Sequence, residues 1–289
     1  MRLQLRSHFI PALFSGNPGK DNQEIRKGAF VRMRSGAGIS IKLATLLAGI
    51  AATSALCAAA VPVQTFKTSA GAVEITPIFH ASAMIKAGGD TIYIDPAPPA
   101  NITGLKPGEL ILITDIHPDH LNTAYITALS SDKTEIIAPA AVQATVKSAK
   151  VIANGQSTQW HKWKITAVPM YNIHNTMPNG MPFHPKGRGN GYILTYGGKN
   201  FYFAGDTEGI PEMRALKNID VAFIPMNLPY TMTPEDAAEA VKAFKPKIVI
   251  PYHYRGQDVQ KFASALKGTG IEVRLLDWYS NAAPGTQKP

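Results

Sequence analysis

Four side chains that bind cations fall within six residues, Asp115-Ile116-His117-Pro118-Asp119-His120, directly after the apolar run from Glu109 to Thr114. Two imidazoles and two carboxylates at this spacing converge only where a loop wraps a cation, because neutral His and ionised Asp are ligands for zinc, manganese or iron. One Asp would suffice to cap the helix expected from Leu121 to Leu129, and capping has no use for the other three groups. Ligand clusters of this kind hold two ions about 3.5 to 4 Å apart in hydrolytic sites. Thiol chemistry has no place in this reading, since the single cysteine, Cys57, lies well upstream in a different kind of sequence.

The elements that must carry these ligands follow from short apolar runs bounded by Gly, Asn, Asp and Pro from Val73 onward. Strands are expected at Val73 to Phe79, Ala83 to Ala87 and Thr91 to Ile94, with Gly88-Gly89-Asp90 as a hairpin turn. The buried strand Glu109 to Thr114 feeds the ligand loop. Next come a strand at Glu135 to Ala138, a helix at Ala140 to Ser148 and strands near Val151, Trp160 and Ile165 to Pro169. The segment from Met170 to Asn190 is rich in Pro, Gly and Asn and lacks periodicity, as functional loops do. A second β-rich stretch (Gly191 to Tyr196, Phe201 to Ala204) then leads into alternating helices and strands: Pro211 to Leu216, Val221 to Pro225, Thr233 to Phe244, Ile248 to Pro251, Val259 to Leu266 and Ile271 to Leu276. Two similar β-rich halves with interleaved helices make an α/β domain whose sheets pack on each other and are flanked by helices.

The first 60 residues differ in kind. Arg32 and Arg34 precede Ile41 to Ala60, a run whose only charge is Lys42 and which ends in Ala58-Ala59-Ala60. This is the pattern of a signal peptide cleaved before Val61, with Met33 a natural start; the alternative is an uncleaved leader that anchors the chain to a membrane. The expected domains are therefore an extension and signal peptide at 1–60 and one folded domain at 61–289, exported to the periplasm, with no membrane span after cleavage. Eight of the 29 Lys and Arg and two of the 20 Asp and Glu lie in residues 1–60, so the remainder carries 21 basic against 18 acidic residues, a net charge of +3. The basic pI of about 9.5 belongs mainly to the leader. It gives no reason to expect a nucleic-acid partner. Without thiols, the mature part must take its metals through His and carboxylate.

The motif at 115–120 resembles the signature of the metallo-β-lactamase superfamily, His-x-His-x-Asp-His at a strand end, and the chain is similar in particular to the branch of ascorbate-6-phosphate lactonase. The resemblance extends from about Val73 to Leu276. It implies a four-layer αββα sandwich of two mixed sheets, and it adds Asp206 in Phe203-Ala204-Gly205-Asp206-Thr207 as a ligand bridging both ions. His253 in Pro251-Tyr252-His253-Tyr254 becomes the last ligand. The middle ligand sits a few residues before the next strand, which favours His184 over His174. Asp115 stands where the superfamily has its first histidine; as a ligand it makes that position harder and more anionic, favouring manganese or iron over zinc or weakening the position. The implied cofactors are two divalent ions, zinc or manganese, with iron as a third option.

The implied reaction is hydrolysis of a small ester, lactone or phosphoester by a metal-bridged hydroxide, formed because two cations bring the pKa of water from about 16 toward roughly 7. Asp119 orients that nucleophile. His80, Lys186, Arg188, Tyr230 and Tyr254 are the candidate substrate contacts, the basic ones for an anionic group, as is Arg255 beside His253. Two other readings stand beside this one: a metal-binding periplasmic protein without catalysis, and a nuclease or phosphodiesterase of the same superfamily. Nothing in the sequence specifies a β-lactam pocket.

Overall fold

The computed structural model describes residues 62–285. The leader, its cleavage position and any lipid or membrane anchoring lie outside the described residues. Among the described residues no helix is long and apolar enough to cross a membrane.

The first sheet contains β1 (Gln64–Thr68), β2 (Gly71–Phe79), β3 (Ser82–Ala87), β4 (Asp90–Ile94), β5 (Leu110–Leu112), β6 (Glu135–Ala138) and β7 (Lys150–Val151), in sequence order. Its first three pairings are antiparallel and its last three parallel. The second sheet repeats the scheme with β8 (Ser157–Trp160), β9 (Trp163–Met170), β10 (Gly189–Tyr196), β11 (Lys199–Phe203), β12 (Val221–Pro225), β13 (Ile248–Tyr252) and β14 (Glu272–Val273). The chemistry of each half follows this division. Antiparallel strands alternate inward and outward, as Ala83, Ile85 and Ala87 do on β3, whereas the parallel strands β5 and β12 are buried along their whole length.

Aromatic and branched side chains from both sheets, among them Phe66, Ile85, Ile92, Trp163, Phe201, Phe203, Phe223 and Trp278, form the central layer. Phe203 and Phe223 stack face to face on neighbouring strands, with ring centroids 4.1 Å apart. Each such fully buried side chain contributes roughly 1.5–3 kcal/mol relative to exposure. Helices cover the outer faces: α1 (Thr123–Ala128) on the first sheet, and α2 (Pro211–Arg214), α3 (Pro234–Phe244) and α4 (Val259–Ala265) on the second. The layers are α, β, β, α. Helix α3 shows why the sequence folds this way locally. Thr233 caps it by accepting the Asp236 N–H at 2.9 Å, Pro234 occupies the first turn, and Ala237, Val241 and Phe244 fall on one buried face.

Three expectations need adjusting. Strand β1 precedes Val73 to Phe79, the first strand expected. The helix expected at Ala140 to Ser148 is only a 3-10 turn, Ala140–Ala144, whose N-terminus has no side-chain cap. The last strand shortens to two residues.

Candidate metal centre

The candidate ligands come together at the carboxyl ends of parallel strands, where open α/β sheets generally bind their ligands. Asp115 to His120 follow β5, Asp206 follows β11 and His253 follows β13, while His184 arrives on the long loop before β10. Gly205 makes the approach to Asp206 possible. It has φ +67°, and an added Cβ would meet the Met170 sulfur, so only glycine fits. Its N–H donates to the Tyr252 hydroxyl at 2.8 Å, tying the end of β11 to β13.

Asp206 is the meeting point. Its Oδ2 lies 3.2 Å from His120 Nε2 and 3.1 Å from His184 Nε2, and its Oδ1 lies 3.3 Å from His253 Nε2. Around it the side chains form two groups. In the first, His117 Nδ1 is 3.2 Å from both Asp115 Oδ2 and His184 Nε2. In the second, Asp119 is 3.8 Å from His120 Nε2 and 3.4 Å from His253 Nε2. Donors bonded to one ion at about 2.0–2.2 Å sit roughly 3.0–3.6 Å from one another, which most of these separations match. His174, by contrast, is exposed and lines a separate cavity of about 250 Å³ with Glu208 and Arg214.

Seven buried side-chain nitrogen or oxygen atoms among the described residues have no aligned hydrogen-bond partner, and four of them are here: His80 Nε2, Asp206 Oδ1 and both ring nitrogens of His253. An unsatisfied buried polar atom costs about 1–3 kcal/mol, so such a concentration calls for a cation. The site also sits on strained backbone, with non-glycine His80 (φ 53°), Asp95 (φ 45°) and His253 (φ 48°) all left-handed.

The electrostatics fit cation binding. Burial works against the charge of Asp206, but His253 and His120 hold its carboxyl well below the usual carboxylate range. Burial opposes Asp119 in the same way and is outweighed by His120, then by hydrogen bonds from His253 and His80. His120 is desolvated too, yet Asp206, Asp119 and Asp95 raise its pKa well above the ordinary value. Burial, reinforced by His253, pushes His80 down to about 3, so that ring is neutral.

Two buried residues that the sequence reading passed over orient the ligands. Asp95 accepts Thr114 N–H at 2.8 Å, the Thr114 hydroxyl at 2.6 Å and His120 Nδ1 at 2.8 Å, which turns His120 Nε2 toward Asp206. Asn172 Oδ1 does the same for His184, taking its Nδ1 at 2.8 Å and its backbone N–H at 2.7 Å. The one sequence signal for Asp95 is an acid closing the apolar strand Thr91 to Ile94. Asn172 gives none beyond its place in the long loop.

Against this geometry, the family profile described as Beta-lactamase superfamily domain matches residues 74–253. The chain belongs to the beta-lactamase superfamily. Within that superfamily it is 31% identical over 224 residues to a UPF0173 metal-dependent hydrolase of Anoxybacillus flavithermus, covering 68% of this chain and 94% of that one. A candidate metal-dependent hydrolase from Parabacteroides distasonis, solved by crystallography, shares 42% identity at a TM-score of 0.72, covering 75% of this chain and 99% of the other. Igni18, a metallo hydrolase of Ignicoccus hospitalis, shares the fold at 24% identity and a TM-score of 0.56, over 71% of this chain and 94% of that one. This chain is thus a metal-dependent hydrolase of the superfamily, with the two-sheet fold expected of it.

The substrate contacts expected from sequence divide sharply. A cleft of about 290 Å³ opens over the ligands, floored by His117, Asp119, Asp206 and His253 and walled by Phe183 and Tyr230, with Arg255 at its rim. Tyr230 therefore lines the cleft, packed edge-on against Phe183 at 5.0 Å. Lys186 does not: it is exposed, paired with Glu212 at 2.7 Å and lies over the Tyr171 ring. Tyr254 turns away to donate to the Leu276 carbonyl at 3.0 Å. Arg188 gives its Nε–Nη2 edge to Asp115 and is not among the residues lining the cleft. His80 sits behind the ligands, its Nε2 3.3 Å from Asp119, its Nδ1 2.7 Å from the Tyr279 hydroxyl and its ring stacked on His253 at 3.7 Å.

Proposed function

We propose that the chain hydrolyses a small ester, lactone or phosphoester with two divalent cations, one held by Asp115, His117 and His184, the other by Asp119, His120 and His253, with Asp206 shared. The observation that carries this reading is the approach of three imidazole Nε2 atoms, from His120, His184 and His253, to the two oxygens of one buried carboxylate at 3.1–3.3 Å. Bound there, the ions would supply an acidified water and positive charge against the negative charge that develops on the attacked oxygen. Zinc, manganese and iron all suit the donor set.

The protein's own groups do the rest. Asp95 and Asn172 keep His120 and His184 in the tautomer that presents Nε2. Asp119 borders the cleft, so it can orient the attacking water by accepting its hydrogen bond, while His80 Nε2 lies 3.3 Å from the same Oδ2 that faces His253. Phe183 and Tyr230 supply the aromatic wall of the cleft. A cleft of about 290 Å³ is at the small end of ligand pockets, roughly 300–1,000 Å³, which supports a small substrate over a nucleic acid. The resemblance of the ligand motif to the lactonase-like branch supports that class, and the leader-like run Ile41 to Ala60 supports export to the periplasm.

The test is turnover by chelator-stripped protein on a panel of esters, lactones and phosphoesters. Manganese or zinc should restore hydrolysis in the wild type and not in Asp206→Ala or His120→Ala. Ion uptake without turnover anywhere on the panel would instead make this a binding protein.

A further inference from the structure

Asp115 is fully buried and does not stand alone. Arg188 donates from Nε to its Oδ1 at 3.0 Å and from Nη2 to its Oδ2 at 2.7 Å, a two-point fork. Gly189 brings this arginine close, since an added Cβ there would stand 2.8 Å from the Thr114 carbonyl oxygen at the end of β5. The same Asp115 Oδ2 faces His117 Nδ1 at 3.2 Å and His184 Nε2 at 3.8 Å, so it keeps an oxygen turned toward the first group of ligands.

We propose that Asp115 and Arg188 act as one ligand unit, a hard oxygen donor without net charge that favours manganese over zinc, and that Arg188 makes the first cation position the weaker of the two. An unpaired Asp115 would add a full negative charge to those of Asp119 and Asp206, whereas the pair adds none, as an imidazole would. Competition follows from geometry: Arg188 Nη2 also lies 3.2 Å from His117 Nε2. When Nδ1 of His117 binds a cation, its proton must sit on Nε2, where it faces a guanidinium that has only protons to offer. Among the described residues, no Lys or Arg is hydrogen-bonded or ion-paired to the second group. Its counterpart contact is a carboxylate, Asp95, behind His120.

This inference rests on the two-ion reading, and its test keeps the two apart. Manganese is titrated calorimetrically into the stripped full chain, and ions per chain are counted by elemental analysis. The wild type should show two steps; if it takes up fewer than two ions, the two-ion reading itself fails. Arg188→Gln should tighten the weaker step by at least about tenfold and leave the stronger one alone, because it removes a cation beside the ion. Arg188→Lys, which keeps the charge, should leave the weaker step weak. D115H should hold one ion, and D115H/R188Q should hold two again with a preference moved toward zinc. Both steps unchanged within about twofold in Arg188→Gln would overturn the proposal, as would two ions at wild-type affinity in D115H. Should D115H fail to fold, the two Arg188 variants decide the matter, since they leave every ligand in place.

Discussion

The two ligand groups that meet at Asp206 use the same residue types and are held in different ways. Asp119 and His120 sit in the turn after β5, and His253 directly follows β13. His120 is locked from behind by Asp95 and Thr114, and His253 is stacked against His80. In the other group His184 is held by an asparagine of its own loop and Asp115 is tied to an arginine. Each group has one half-exposed member, Asp119 or His117, and the rest are buried. What differs is the backing: a buried carboxylate, Asp95, stands behind the second position, and a neighbouring cation, Arg188, stands beside the first. Preorganisation favours tight and early binding, and charge balance favours a position that fills later and exchanges.

The most drastic way to erase the contrast is Asp206→Ala, which removes the shared carboxylate. Both positions should weaken, and kcat/KM in metal-supplemented assays should fall by roughly 10³-fold or more. Asp95→Asn attacks only the preorganised side. The affinity of the second position should drop by about 10- to 100-fold with little change at the first, as measured by competition with a metal-binding dye. Asn172→Leu reverses the pattern, and the loss at the first position should be about tenfold.

A pH titration sharpens the contrast more gently. In the ion-free protein the carboxylates around His120 raise its pKa above the unfolded value near 6.5, so its contribution to stability is complete below that value and fades as pH rises through the raised one. A cation must expel that proton, so binding strengthens over the same range. The gap in Tm between loaded and stripped protein should therefore widen as pH rises above about 6.5; a gap independent of pH would mean that His120 is not a ligand. The smallest effect is expected for Lys186→Ala. Its ion pair with Glu212 is solvent-exposed, and both turnover and Tm should stay at wild-type values.

How much of this could be read from the sequence depended on chain separation. Asp115 to His120 announce themselves because the ligands are packed into one loop, and a cation is the simplest reason for that density. Asp206 and His253 needed the superfamily resemblance, since nothing local distinguishes an Asp after a strand from a cap. Asp95 acts 25 residues away from His120, and Arg188 acts 73 residues away from Asp115. Partnerships across such distances exist only once the sheets have folded, and so Arg188 read as a substrate contact. The fold was easier. Alternating and continuous apolar runs located most strands, whereas β1, with one buried side chain, Phe66, left no such trace.

The central claim is that two cations share Asp206, and anomalous diffraction from crystals of the manganese-loaded protein tests it most directly. The account expects two peaks about 3.5–4 Å apart with the Asp206 carboxylate between them. One peak alone at full manganese loading, or peaks bound by other residues, would contradict it.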